Sequence, residues 1–482
     1  MERRDFLKGL LAGQVLLIAG LDAQAETVTG LPLGELRKRL TSKNSLVLFP
    51  SDAQFAKFQV SFNKRTLKMP QARVCPVTAS DVAVAVKWAR EFKVPFAIRG
   101  RGHSYEGYSQ SNGVVIDLRL MNDVQVNPAN MRASVGAGAQ LFDVYSALSK
   151  YEHTIPAGTC PPVGVSGHTL GGGFGLLSRR FGLACDAVVG LEMVNANGEI
   201  VQVSASQNPD LFWALRGGGN GSFGIVTRFI FNTYEVKNVV TYAMTWNLTV
   251  EKALPLARLW QTWAPQAPDE IASIMSLTKT KTGLIRVHFG GQSTGSDTDL
   301  MRELEKFRKL ESPITDSVKT MSYMDSISHF GGGTGYTTCY MKAKSDYVFK
   351  ALTDDALTTL MKSLLAQPCV VGAIFDAYGG AMGRTKNDAT AFAHRESTVC
   401  SIQYYTQWTK PEQTNDHMNS IRSIYSAMRP FVSGQSYVNY CDLDLADGPT
   451  AYWGANLPRL QKIKASVDPT NFFTHAQGIK PV

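Results

Sequence analysis

Beyond its first two dozen residues, the chain alternates between two hydrophobic periods. Residues 83–91, Ala-Val-Ala-Val-Lys-Trp-Ala-Arg-Glu, carry apolar side chains at helical spacing and predict an amphipathic helix. Residues 94–98, Val-Pro-Phe-Ala-Ile, then read as a short strand opening into a turn at 99–102. Further strands are predicted at 113–118 and 133–138, and short strands continue to alternate with helices as far as 224–231. From about 237 to 429 the elements lengthen, with strands predicted at 239–248, 283–290 and 401–408 and an amphipathic helix over 299–310. Strands followed by covering helices describe a second α+β lobe. A chain of 482 residues exceeds the size at which one core keeps growing, so two lobes are expected. No internal repeat or low-complexity linker marks the boundary between them.

The first 25 residues follow another logic. Arg3-Arg4-Asp5-Phe6-Leu7-Lys8 is a charged opening, 10–21 is a short apolar run, and Ala23-Gln24-Ala25 is a small-x-small cleavage site. The run is too short for a membrane span, so no stable membrane insertion is expected. The paired arginines resemble a twin-arginine export signal, which implies an export machinery as partner and a periplasmic or secreted mature protein. Removing 1–25 takes away Arg3, Arg4 and Lys8 together with Glu2, Asp5 and Asp22, so the net charge of +9 is unchanged. The basic residues are scattered and form no long run, which argues against a nucleic-acid partner. At 44% hydrophobic and 18% charged residues the chain is too apolar for disorder. Cys75, Cys160, Cys185, Cys339, Cys369, Cys400 and Cys441 form no CxxC pair, and sequence cannot pair them into disulfides. His288, His329, His394, His417 and His475 are isolated, so no metal site is expected.

The chemistry-bearing residues gather in glycine-rich loops. Glycine lets backbone N–H groups approach a phosphate without a Cβ in the way. One loop runs Arg99-Gly100-Arg101-Gly102-His103-Ser104, and another runs Gly158-Thr159-Cys160-Pro161-Pro162-Val163-Gly164-Val165-Ser166-Gly167-His168. Gly171-Gly172-Gly173-Phe174-Gly175 and Gly217-Gly218-Gly219-Asn220-Gly221-Ser222-Phe223-Gly224 follow. No phosphate-binding βαβ signature accompanies them.

With the C-terminal Tyr437-Val438-Asn439-Tyr440-Cys441-Asp442, Tyr452-Trp453-Gly454, Asp468-Pro469-Thr470-Asn471-Phe472-Phe473 and Gln477, these loops resemble the berberine-bridge-enzyme-like branch of the vanillyl-alcohol-oxidase flavoproteins. The resemblance implies an α+β fold: a PCMH-type FAD-binding lobe over 26–236, a substrate lobe over 237–430, and a segment 431–482 that returns to complete the FAD lobe. It implies one FAD attached at two points, His103 to the 8α methyl and Cys160 to C6 of the isoalloxazine. In the family such attachment goes with a raised flavin potential that favours hydride abstraction from alcohols. The further cofactor contacts it implies are Arg99, Gly100, Arg101, Gly102, Ser104, Val163, Gly164, Gly167, His168, Gly224, Ile225, Val226 and Asn439. Arg101 stands where the family more often has glycine. The resemblance places Val163 where the family governs dioxygen access, and a small side chain there implies oxidase behaviour.

Hydride leaves a carbon only if the neighbouring O–H proton is taken up, so a base must stand near flavin N5. Tyr437 and Tyr440 are the candidates. A free tyrosine titrates near ~10, so a catalytic one needs a positive charge or hydrogen bond beside it, or must act in concert with hydride loss. On a regular strand Tyr437 and Asn439 share a face and Tyr440 points away, which leaves open which one meets the ring. The family pattern favours Tyr440 as base, with Tyr437 and Asn439 against flavin or substrate. Asp376-Ala377-Tyr378-Gly379-Gly380 and the strand from Gln403 to Trp408 resemble substrate-facing strands, with Tyr378, Gln403 and Tyr405 as candidate contacts. The expectation is a monomeric or weakly associated exported FAD-dependent oxidase. It moves a hydride from a carbohydrate hydroxyl carbon to FAD and gives hydrogen peroxide from dioxygen. The alternatives are oxidation or oxidative cyclisation of an aromatic secondary metabolite, and a flavin-bearing binding protein that has lost catalysis.

Overall fold

The computed structural model describes residues 30–331 and 338–482, so the expected export signal lies outside the described residues. The first lobe is built on two larger sheets and a short pairing of Tyr234–Glu235 with His153–Thr154. Leu46–Leu48, Ala72–Cys75, Val114–Asp117 and Phe96–Arg99 lie side by side in that order, the last three parallel. Val124–Asn127, Arg132–Gly136, Ile225–Asn232, Val188–Val194 and Ile200–Ser204 form an antiparallel sheet in that order. Helix Ala79–Glu91 starts four residues before the periodic stretch, because the Thr78 side chain accepts the Asp81 N–H and caps it. Its inner face buries Val82, Ala85, Val86, Trp88 and Ala89 at helical spacing.

The central region folds as one seven-stranded antiparallel sheet, ordered Thr315–Ser322, Asn238–Leu248, Ile285–Ser293, Ile271–Lys279, Gly372–Ala377, Cys400–Trp408, Tyr340–Val348. Helices Val250–Trp263, Asp354–Ala366 and Thr414–Met428 cover one face. Among the described residues, the buried side chains of the apolar core beneath them come from Val240 to Met428. A second core combines Leu33 to Val239 with Tyr437 to Ile479 and takes in Tyr347, Tyr378 and Phe392 from the central region. The chain therefore returns at its C-terminal end to the lobe in which it began. Because side chains alternate along a strand, Ala373, Phe375, Ile402 and Tyr404 fill the helix-covered core while Ile374, Asp376 and Gln403 turn to the opposite face. Among the described residues no helix is long and apolar enough to cross a membrane.

Candidate active site

That opposite face roofs a cavity of about 620 Å³, within the range of about 300 to 1,000 Å³ common for cofactor and ligand sites. Its other walls are the glycine loops around His103, Cys160 and Gly224 and the C-terminal stretches 437–443 and 473–477. The His103 loop needs glycine at 102, where φ is +76° and a Cβ would fall 2.2 Å from the Arg99 guanidinium. Phe62 stacks on the His103 ring with centroids 4.0 Å apart. Burial, aided by neighbouring His168, lowers the His103 imidazole to about 3, so it is neutral. Cys160 sits in a turn whose Pro161 and Val163 carbonyls accept the Phe142 and Leu141 N–H groups, satisfying the start of helix Leu141–Ser149. Its side chain is accessible from the cavity, yet it lies deep enough that desolvation raises the thiol. His168 accepts the Gly158 N–H at its Nε2 (2.9 Å), which leaves the ring proton on Nδ1.

The C-terminal tyrosines do not lie on a regular strand. Tyr440 N–H donates to the Tyr437 carbonyl at 2.9 Å, so the chain turns there. The turn brings both rings into the cavity wall, 4.9 Å apart and edge to face. Tyr440 donates to Asp376 Oδ2 across 3.4 Å, and Ser401 donates to the same oxygen across 3.2 Å. Burial raises the Asp376 carboxyl to about 7 and, with Asp376 adding to the effect, drives the Tyr440 hydroxyl well above the ordinary tyrosine value. Tyr105 stacks parallel to Tyr440 with centroids 6.1 Å apart and accepts from Gln403 Nε2 at 3.3 Å. Tyr437 accepts from Asn439 Nδ2 at 2.8 Å, and burial lifts its hydroxyl to about 12 against the pull of that and two backbone hydrogen bonds.

Gly100, Arg101, Gly102, Ser104, Val163, Gly164, Gly167, Gly224, Ile225, Val226 and Asn439 all line this cavity, as does Gln403. Arg99, Tyr378 and Tyr405 do not. Arg99 turns into the protein toward Ser61, the Val60 carbonyl and Asp117, where it braces the His103 loop from behind. The strand ends at Ala377, so Tyr378 leaves the alternation, packs on Phe174 and meets the Tyr347 hydroxyl at 3.1 Å. Tyr405 shares a strand face with Gln403 but sits beyond the lining, its hydroxyl taken by Gln407. Asp376 and Tyr105 escaped the sequence reading, although Asp376 stands inside a motif quoted above and Tyr105 directly follows the His103 loop. A buried ion network escaped it as well. Lys342 Nζ lies 2.5 Å from both Glu106 and Asp442, and Lys344 Nζ lies 2.5 Å from Asp442. The network ties the sheet to the His103 loop and to the Tyr440 turn.

The wall also asks for a polar occupant. Gln110 Oε1, Asn220 Oδ1 and His475 Nδ1 are buried without a partner among the described residues, and all three residues line the cavity. A cavity of this volume with backbone-lined glycine loops and unpaired acceptors fits a dinucleotide such as FAD.

Residues 70–204 match the FAD binding domain family, and residues 436–480 match the berberine and berberine like family. The chain is 35% identical over 448 residues to the uncharacterized FAD-linked oxidoreductase YgaK of Bacillus subtilis (strain 168), covering 92% of this chain and 98% of that one. Its fold is similar to Physcomitrella patens BBE-like 1, with a TM-score of 0.84, 30% identity, and coverage of 92% and 98%. It is likewise similar to Phl p 4, a grass pollen allergen with glucose dehydrogenase activity, with a TM-score of 0.85, 28% identity, and coverage of 93% and 99%. Fold, cavity and sequence likeness agree, and the chain belongs to the berberine bridge enzyme-like family of FAD-linked oxidoreductases.

Proposed function

We propose that this protein is an exported oxidase that carries one FAD on His103 and Cys160 and oxidises a carbohydrate hydroxyl carbon, an anomeric one giving a lactone. The observation that carries the reading is the meeting of Tyr440 with Asp376 in the same cavity wall as His103 and Cys160. Bound there, FAD would accept the hydride and pass its electrons to dioxygen, giving hydrogen peroxide. The chain itself handles the proton. A hydroxyl held well above the ordinary tyrosine value is no standing phenolate, so Tyr440 takes the substrate O–H proton only as it gives its own to Asp376. The base is thus the pair, poised by a carboxyl near 7. The neutral His103 imidazole is the nucleophilic form that bonding to the 8α methyl carbon would require. The loops at Gly100, Gly102 and Gly164 leave backbone room beside the cofactor, and Val163 borders the path of dioxygen. Tyr105 and Gln403 offer a phenol and an amide to substrate hydroxyls, which suits a sugar. The glucose dehydrogenase activity of Phl p 4 supports the same substrate class.

A second reading, oxidation or cyclisation of an aromatic metabolite, is favoured by the parallel Tyr105 and Tyr440 rings, which make a flat surface for stacking. Following peroxide release from the purified yellow protein with aldoses, oligosaccharides, phenolics and alkaloids separates the two. Peroxide and lactone from an aldose are expected. Peroxide from aromatic compounds alone overturns the sugar reading, and flavin bleaching that air does not reverse overturns the oxidase reading.

A further inference from the structure

The Tyr437 hydroxyl oxygen receives three N–H groups. Gly173 N–H reaches it at 3.0 Å, Phe174 N–H at 3.3 Å and Asn439 Nδ2 at 2.8 Å. The amide orientation of Asn439 is settled by its second donation, from the same Nδ2 to the His168 carbonyl at 2.9 Å. Gly173 adopts φ +82°, which turns two successive backbone N–H groups onto one oxygen, and a Cβ there would lie 2.6 Å from Ala184. A phenol oxygen offers lone pairs and a single hydrogen. With three donors filling the acceptor side, the one interaction left to Tyr437 is to donate. Its side chain is 4% exposed and lines the cavity, and among the described residues its hydrogen meets no acceptor.

We propose that Tyr437 is a hydrogen-bond donor built to act on the occupant of the cavity, with its acceptor a carbonyl oxygen or nitrogen of the flavin on which negative charge grows during reduction. This rests on the flavin reading of the cavity. Three N–H groups draw electron density from the oxygen and make the O–H a stronger donor than an isolated phenol. A fixed donor facing developing negative charge stabilises the reduced state more than the oxidised one, and so raises the reduction potential. The two tyrosines then divide the work. Tyr440 faces a carboxylate and can lose its proton, whereas Tyr437 faces only donors on the protein side and keeps its own.

The test is the midpoint potential of the flavin-loaded protein under nitrogen, compared with Tyr437→Phe and Asn439→Ala. Tyr437→Phe should lower the reduced-to-oxidised ratio at a given potential at least tenfold, about 30 mV for a two-electron couple. Asn439→Ala keeps the hydroxyl but removes one donor, so it should shift the potential less and in the same direction. Should Tyr437→Phe fail to load flavin, the shift in Asn439→Ala decides the matter. The pH limb of flavin reduction near neutrality should persist in both variants. A yellow Tyr437→Phe at the wild-type potential overturns the proposal, and so does loss of the pH limb at unchanged potential. Wild-type protein that takes up no flavin overturns instead the reading on which the proposal rests.

Discussion

Tyr440 Oη stands 3.4 Å from Asp376 Oδ2, bridging the C-terminal turn and the seven-stranded sheet. The contact is longer than the usual O–H···O range of about 2.5 to 3.0 Å, and catalytic hydrogen bonds commonly tighten once substrate binds. Asp376 holds its place because Ser401, its cross-strand partner in register, donates to the same carboxylate oxygen. In the proposed mechanism, proton removal thereby depends on a group whose ionisation is set by burial.

The Asp376 carboxyl is raised to about 7, so it is protonated below neutrality and ionised above it. Single-turnover flavin reduction should rise with pH through a limb near 7 and then level off. Asp376→Asn and Tyr440→Phe should each slow reduction by about 10² to 10⁴ and leave flavin attachment intact, and Asp376→Asn should abolish the limb. Stability follows the opposite sign from an ordinary ion-paired carboxylate. The unfolded group titrates near ~3.9, well below the folded one, so stability falls as pH rises between the two values. Asp376→Asn should therefore be more stable than wild type in alkaline denaturation. A wild-type reduction rate that is flat across neutrality contradicts the pair mechanism.

Lys342 Nζ lies 2.5 Å from Glu106 and 2.5 Å from Asp442, with all three side chains buried. Lys342→Met leaves the two carboxylates in the same dry site with less positive charge to face. Breaking such a buried arrangement costs about 3 to 5 kcal/mol, to be measured as a lower denaturant midpoint. Glu106 follows the His103 loop and Asp442 follows Tyr440, so the variant should also load flavin more slowly. An unchanged midpoint would make the network dispensable.

How much of this was legible in the sequence depended on how local each feature is. His103 and Cys160 stood out because each sits in its own glycine-rich loop, and helix Ala79–Glu91 because its periodicity lies in consecutive residues. Asp376 matters only through Ser401 on the next strand and Tyr440, 64 residues further along the chain, and neither pairing has a sequence period. Strand alternation could not orient Tyr437 and Tyr440, because a main-chain turn joins them. Arg99 was read with its glycine neighbours, yet buried Asp117 draws the guanidinium away from the cavity. Tyr378 stands outside the cavity lining because its strand stops one residue earlier.

Val163 lines the cavity near Cys160. Val163→Leu should fill space at the ring and slow reoxidation by dioxygen, while anaerobic reduction by substrate changes much less. Stopped-flow traces with equal reoxidation rates would remove Val163 from oxygen control.

Replacing Arg3 and Arg4 with lysine keeps the charge but removes the pair that a twin-arginine machinery reads. The folded precursor should then remain in the cytoplasm with its flavin bound, as cell fractionation and flavin fluorescence will report. Normal export of the Lys-Lys precursor would assign the general secretory route.

Attachment of one flavin to two residues is the claim on which the rest depends, and peptide mapping of the denatured protein addresses it directly. Acid-precipitated wild type should stay yellow, and its tryptic digest should contain a single flavin bridging the peptides of His103 and Cys160. His103→Ala and Cys160→Ala should each retain one link, while the double substitution should release its flavin on precipitation. A colourless precipitate from fully FAD-loaded wild type, or a flavin joined to neither peptide, would contradict the account.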